Sequence, residues 1–209
     1  AMDAFTQLLE AYVSQRASPI TDALAWSGMQ AFCRGFTEVW RDGSVATNGW
    51  SELAYAALCS GICLAQAGLG AVHGLAAGLG SRFDIPHGAA CGTLLAAVTA
   101  ANLRRARATA ETGTLAKYAE VGRLVSQQSE LDEVTAGDLL VKTVSDWVSR
   151  YELPLLATFG VTEADLDDLI GRSRGSSMKT NPVVLSDGEL RLILQSRLGQ
   201  SDALESGPT

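Results

Sequence analysis

Apolar residues recur along most of the chain at the three- and four-residue spacing of amphipathic helices, whereas alternation of apolar and polar residues is absent over any useful length. A helix-start signal agrees with this pattern, because Ser18 precedes Pro19 as an N-cap precedes the first helical position. The predicted helices are 3–13, 19–40, 48–66, a short helix around His73, 87–107, 115–125, 141–148, 166–170 and 190–198. The pattern therefore predicts an all-α fold, a bundle of helices.

Further capping signals fix where individual helices should begin. Asn48 is predicted to cap the third helix. Three later helices follow residue pairs with capping-box spacing: Thr135 and Asp138, Thr162 and Asp165, Ser186 and Glu189.

No internal repeat or linker divides the chain, so one domain is predicted over residues 1–198. Residues 199–209 are mostly small or polar and are predicted to form a disordered tail. The first helix begins without a polar lead-in, and Ala1 before Met2 resembles a cloning remnant. We therefore expect a fragment of a longer protein, or a reading frame assigned from an internal methionine.

The charge balance argues against a nucleic-acid partner. The formal net charge is −7, and basic residues cluster only in the short run 104–107. The stretch 53–81 carries no charged side chain and is long enough to span a bilayer. It is interrupted by five glycines between Gly68 and Gly80 and contains the polar Gln66 and His73, so we predict a buried helix and a tight turn rather than a membrane span.

The cysteines do not have the spacing of a metal or redox motif. None of them forms a C-x-x-C pair, and all lie in apolar runs. They are Cys33, Cys59, Cys63 and Cys91. We interpret them as buried structural thiols rather than metal ligands or disulfides, which fits a reducing, cytoplasmic location.

Only two histidines occur in the chain, and both stand beside glycines in its least charged region. They are His73 and His87, and a buried imidazole needs a partner such as a metal ion. Asp3 and Gln7 are four residues apart on the first predicted helix and share its face. Together the four side chains could form a nitrogen and oxygen site for a divalent transition metal. Equally, Asp3 could be a helix N-terminal carboxylate and Gln7 a surface amide.

Several segments resemble the C-terminal helical domain of the iron-containing (group III) alcohol dehydrogenases, which has the dehydroquinate synthase-like fold. The resemblance covers nearly the whole chain, to about Leu198, with its motifs in the family's order and spacing. The matching segments are 2–14, 17–24, 67–73, 83–88 and Asn181-Pro182.

The resemblance implies that Asp3, Gln7, His73 and His87 hold a divalent metal, with Fe²⁺ the first candidate and Zn²⁺ the second. This chain departs from the family at Gln7, where a histidine is usual, and at Ala77, where many members have another histidine. Both differences weaken the expectation of tight iron binding and of an ordinary alcohol substrate.

The resemblance also implies a partner domain and a cofactor. The family's N-terminal nucleotide-binding domain, which carries most contacts to NAD or NADP, is missing from this sequence. On this side of the cofactor cleft, Gly68, Gly70 and Phe83 are the expected cofactor-binding residues. The alternative for the glycines is tight turning and close helix approach, and the alternative for Phe83 is a core role.

The implied function is hydride transfer between NAD(P) and a small alcohol or aldehyde, with the metal as Lewis acid. Two alternatives stay open: a non-catalytic helical remnant with an interaction role, and a metal-independent reductase of the same family. A truncated domain should expose apolar surface, so we also expect a homo-oligomer.

Overall fold

The computed structural model describes residues 1–199, and within them the chain is helical with no strand. The all-α prediction is thereby confirmed. The α-helices of this region are α1 (Met2–Val13), α2 (Pro19–Asp42), α3 (Thr47–Ala67), α4 (Ala71–Gly80), α5 (His87–Thr109), α6 (Thr112–Ser126), α7 (Glu133–Arg150), α8 (Leu166–Arg172), α9 (Ser176–Lys179) and α10 (Asp187–Leu198). The tail predicted over 199–209 lies, except for Gly199, outside the described residues.

Helix α1 lies at the centre of the bundle. It contacts α2, α3, α5 and α6, and its side chains Phe5, Leu8 and Leu9 are almost completely buried. Phe5 packs against Phe32 of α2 and edge-on against Trp147 of α7, with ring centroids 4.9 and 5.2 Å apart. Helix α1 is therefore held in place by packing on several sides, which also fixes the position of the side chains on its remaining face.

Two helix pairs approach closely because glycines form their contacts. A Cβ atom added at Gly35 of α2 would lie 2.6 Å from the carbonyl oxygen of Gly49 in α3. One added at Gly122 of α6 would lie 2.0 Å from the carbonyl oxygen of Ala136 in α7. A side chain at either position would force the two backbones apart.

Most of the predicted helix starts are confirmed. Thr162 and Ser186 form the expected capping boxes. Ser18 is the N-cap of α2 as predicted, and it also forms a capping box with Thr21. The box predicted at Thr135 is wrong, because α7 begins earlier and Asp132 is its N-cap. The Asp132 carboxylate accepts from the Thr135 amide at 3.0 Å, which places Thr135 in the first turn.

Helix α3 exposes apolar side chains on its outer face, among them Trp50, Leu58 and Ile62. No single helix in residues 1–199 has both the length and the hydropathy of a membrane span. Helices α3 and α4 satisfy these criteria only when they are counted together as one segment, and the chain bends by 96° between them.

Candidate metal centre

The amino end of α4 is capped by side chains from distant parts of the chain. The amide of Val72 donates to Glu10 Oε1 at 2.7 Å, and the amide of Ala71 donates to Asn181 Oδ1 at 3.0 Å. Unpaired amides at a helix start attract such acceptors. Asn181 also exchanges reciprocal amide hydrogen bonds with Asn102 of α5. This buried network fixes where α4 begins, and with it the position of His73.

His73 is oriented by the same carboxylate that caps its helix. Its Nδ1 lies 2.7 Å from Glu10 Oε2, and both side chains are at most 6% exposed. Because a carboxylate faces Nδ1, that nitrogen carries the proton when the ring is neutral, and Nε2 keeps its lone pair. The lone pair of His73 is therefore directed away from Glu10, towards Asp3 at the start of α1 and towards the start of α5.

The atoms that His73 faces form a compact group of possible metal ligands. The group consists of Asp3, His73, His87 and Cys91, whose ligand atoms all lie within 4.8 Å of one another. Asp3 Oδ1 is 3.3 Å from His73 Nε2 and 3.8 Å from His87 Nε2. The structure thus brings together three of the four predicted ligands, which are separated widely in sequence.

Two atoms of this group are buried without a hydrogen-bond partner: Asp3 Oδ1 and His73 Nε2. A buried polar atom without a partner is costly, and such atoms are rare in folded proteins. The two atoms face each other at 3.3 Å. An ion between the imidazoles and the carboxylate would satisfy both of them, so the residues present fit a divalent metal.

Gln7, the fourth predicted ligand, contacts the carboxylate of the group. Its Nε2 donates to Asp3 Oδ2 at 3.2 Å, one turn along α1. That bond holds one carboxylate oxygen and leaves Oδ1 directed at the imidazoles.

The electrostatics of the group follow from its two carboxylates. Burial alone would lower the pKa of His73, but the neighbouring Asp3, Cys91 and Glu10 outweigh it and raise that pKa above the usual value. The nearby His73 ring lowers the pKa of Asp3 despite the partial burial of this carboxyl. Burial raises the pKa of Cys91 to about 11. Without an ion, therefore, His73 takes up a proton more readily than a free imidazole does.

The glycines expected to contact a nucleotide are packed against protein atoms. A Cβ added at Gly70 would lie 2.8 Å from both Glu10 Oε1 and Asn181 Oδ1, and one added at Gly68 would lie 2.9 Å from Thr180 Oγ1. Gly68 also has a φ of 69°, which glycine adopts without strain. Internal packing therefore accounts for both glycines, and their role in cofactor binding stays a prediction. Phe83 is partly buried and packs on the core, with the Arg82 guanidinium over its ring.

Sequence reasoning missed two members of the site. Cys91 is not simply a core thiol, because its sulfur lies among the candidate ligand atoms, 3.5 Å from His87 Nε2. The four-residue spacing of His87 and Cys91 was an available signal, since it puts both on one face of α5. Glu10 had no comparable signal, because its role depends on the approach of α4 to α1.

Comparisons with known proteins show which family this chain resembles. Residues 1–198 match the family described as Fe-containing alcohol dehydrogenase family, C-terminal. The chain is 32% identical over 198 residues to alcohol dehydrogenase 4 of Schizosaccharomyces pombe, covering 94% of this chain and 44% of that protein. It is 31% identical over 166 residues to 1,3-propanediol dehydrogenase of Citrobacter freundii, covering 78% of this chain and 41% of the relative.

Solved structures show the same relationship in three dimensions. A 1,3-propanediol oxidoreductase superposes with a TM-score of 0.83 at 28% identity, over 94% of this chain and 50% of that one. An alcohol dehydrogenase from Oenococcus oeni superposes with a TM-score of 0.82 at 25% identity, again over 94% of this chain and 50% of the other. The chain spans about half the length of the relatives it matches. It belongs to the iron-containing alcohol dehydrogenase family and corresponds to the C-terminal domain of that family's proteins.

Proposed function

We propose that this chain is the metal-binding half of an NAD(P)-dependent alcohol dehydrogenase or aldehyde reductase. Asp3, His73 and His87 would hold the ion. The observation that carries the proposal is the pair of buried atoms without a partner, Asp3 Oδ1 and His73 Nε2, which face each other beside His87. Family membership supports Fe²⁺ as the ion, and the same donors also suit Zn²⁺.

When bound, the ion would supply a Lewis acid that stabilises negative charge on the substrate oxygen during hydride transfer. The residues of the chain prepare the site for it. Glu10 holds the His73 ring with Nε2 facing the other ligands, and Gln7 holds Asp3 with Oδ1 facing them. The side chain of His87 is 56% exposed, so a small alcohol or aldehyde would approach from its side.

The proposal for the whole protein includes a second half of the active site, which binds the cofactor. NAD or NADP would bind mainly to an N-terminal domain, as the family resemblance implies, and this chain would close the cleft. The cytoplasmic location and the association of copies of this chain into a homo-oligomer stay predictions. The apolar outer face of α3, with Trp50, Leu58 and Ile62, supports association because exposed apolar patches favour contacts between proteins.

Metal binding by the full chain tests the proposal directly. We expect one Zn²⁺, or one Fe²⁺ under anaerobic conditions, to bind per chain in calorimetry, with binding lost in His73→Ala and His87→Ala. Asp84→Asn is the matched control, since Asp84 is an exposed carboxylate in the loop that precedes His87 and should leave binding unchanged. Absence of binding in the unmodified chain, or equal binding in the histidine variants, would refute the metal site. The metal-independent and non-catalytic alternatives would then be favoured.

The pH dependence of binding is a second expectation. The pKa of His73 is raised in the metal-free protein, so an incoming ion must displace its proton. Protons compete more strongly at low pH, and the apparent affinity should therefore rise with pH. We expect about a tenfold rise per pH unit between about pH 6 and about pH 8 for each displaced proton. Calorimetric titrations in buffers of different ionisation enthalpy measure the protons released, and an affinity independent of pH would contradict this reasoning.

A further inference from the structure

We propose that Cys91 is the fourth ligand of this site, in the place that the family resemblance gives to residue 7, and that its sulfur makes the site favour Zn²⁺ over Fe²⁺. The inference rests on the proposed function, because it assumes that Asp3, His73 and His87 bind an ion. It assigns to this chain a different donor set, with sulfur in place of a third imidazole.

Two of the separations between donor atoms match those of a tetrahedral zinc site. Tetrahedral bonds of about 2.3 Å to sulfur and about 2.0 Å to nitrogen place those two atoms about 3.5 Å apart. Cys91 Sγ and His87 Nε2 are 3.5 Å apart. Bonds of about 2.0 Å to nitrogen and oxygen give a separation of about 3.3 Å, and His73 Nε2 and Asp3 Oδ1 are 3.3 Å apart.

The unpartnered atom of His73 provides an independent reason to place a ligand beside Cys91. The His73 side chain is 94% buried, at 6% exposure, and its Nε2 has no hydrogen-bond partner although it faces the cluster that contains the sulfur. A hydrogen bond between the Cys91 thiol and His87 would explain the 3.5 Å contact alone. It would leave His73 Nε2 and Asp3 Oδ1 unsatisfied.

Gln7 is poorly suited to the position that Cys91 would fill. Its amide nitrogen is engaged by Asp3 Oδ2, and its oxygen would be a neutral ligand. A thiolate is a charged, soft donor that binds Zn²⁺ more strongly than a carboxamide oxygen does. The helix geometry supports Cys91 rather than Gln7 as the fourth ligand, because Cys91 lies one turn after His87 in α5 and shares its face.

Cobalt substitution distinguishes this ligand set from the others without requiring activity. Co²⁺ bound to the full chain should show a sulfur-to-cobalt charge-transfer absorption in the near ultraviolet, which nitrogen and oxygen ligands do not give. Cys91→Ser should abolish that absorption and lower Zn²⁺ affinity by about 100-fold or more, with a smaller loss for Fe²⁺. Cys33→Ser, which removes a thiol of α2 that does not belong to the ligand cluster, should change neither.

A second variant guards against misfolding of Cys91→Ser. Adding Gln7→His to it supplies the imidazole usual in the family, and should restore Zn²⁺ affinity at least tenfold without restoring the charge-transfer absorption. Stoichiometric Co²⁺ binding without the absorption in the unmodified chain, or with the absorption retained in Cys91→Ser, would overturn the role of Cys91 and leave the proposed function intact. Failure of the unmodified chain to bind Co²⁺ or Zn²⁺ would overturn both.

Discussion

Replacement of Glu10 by alanine is expected to destabilise the fold by about 3–5 kcal/mol, the cost of removing one partner of a buried, hydrogen-bonded ion pair. The Glu10 carboxylate accepts from the amides at the start of α4 and from His73 Nδ1, and its side chain is 5% exposed. The variant leaves all these donors unpaired inside the protein. Equilibrium unfolding in urea measures the loss, and a change below about 1 kcal/mol would show that water or another group replaces the carboxylate.

Glu10→Gln separates the orienting role of this residue from its capping role. The amide keeps the shape and one acceptor for the Val72 amide, so the loss of stability should be smaller than for alanine. Its NH₂ group, however, would face His73 Nδ1 and favour the tautomer with a proton on Nε2. We therefore expect metal affinity to fall by about 10–100-fold. Unchanged affinity in Glu10→Gln would mean that Glu10 supports α4 alone.

Gly122→Ala is expected to have a comparable effect on stability through packing alone. The added methyl group would lie 2.0 Å from the carbonyl oxygen of Ala136, so α6 and α7 must separate. Backbone atoms cannot move aside as a flexible side chain can, and we expect a loss of about 3 kcal/mol, at the upper end for overpacking. Thermal and urea unfolding measure it.

Gly113→Ala is the matched control in the same helix. A Cβ at Gly113 meets no atom within 4 Å, so the substitution should stabilise α6 by about 0.5–1 kcal/mol through helix propensity. Equal effects of the two substitutions would contradict the close approach of α6 and α7. Metal affinity should be unchanged in both variants, because neither glycine contacts the ligand cluster.

The helices could be predicted from the sequence because their signals are local. Ser18 and Ser186 each lie beside the groups that they cap, and the structure confirms both. Asn48 and Thr135 were misplaced by a residue or more, since α3 begins at Thr47 and α7 at Glu133. Several polar residues near the starts of α3 and α7 could serve as caps. Each of these helices begins where the packing of its apolar face permits.

The candidate site was predictable only in part. Asp3, His73 and His87 stand in motifs that the family resemblance carried, and they meet in the structure. The contributions of Glu10 and Cys91 depend on how α4 and α5 pack around α1, and no local pattern encodes that arrangement. Gly70 also depends on packing: a Cβ added there would meet Glu10 and Asn181, and the cofactor contact that the family resemblance implies for it stays a prediction.

The candidate ligands lie on three helices, of which α1 is far in sequence from the consecutive helices α4 and α5. An ion held by them would act as a reversible cross-link that the unfolded chain cannot maintain. By thermodynamic linkage, a free ion concentration a hundredfold above the dissociation constant stabilises the folded state by about 2.7 kcal/mol. Two preparations of the same polypeptide that differ only in metal content would then melt at different temperatures, and comparisons between variants require equal metal loading.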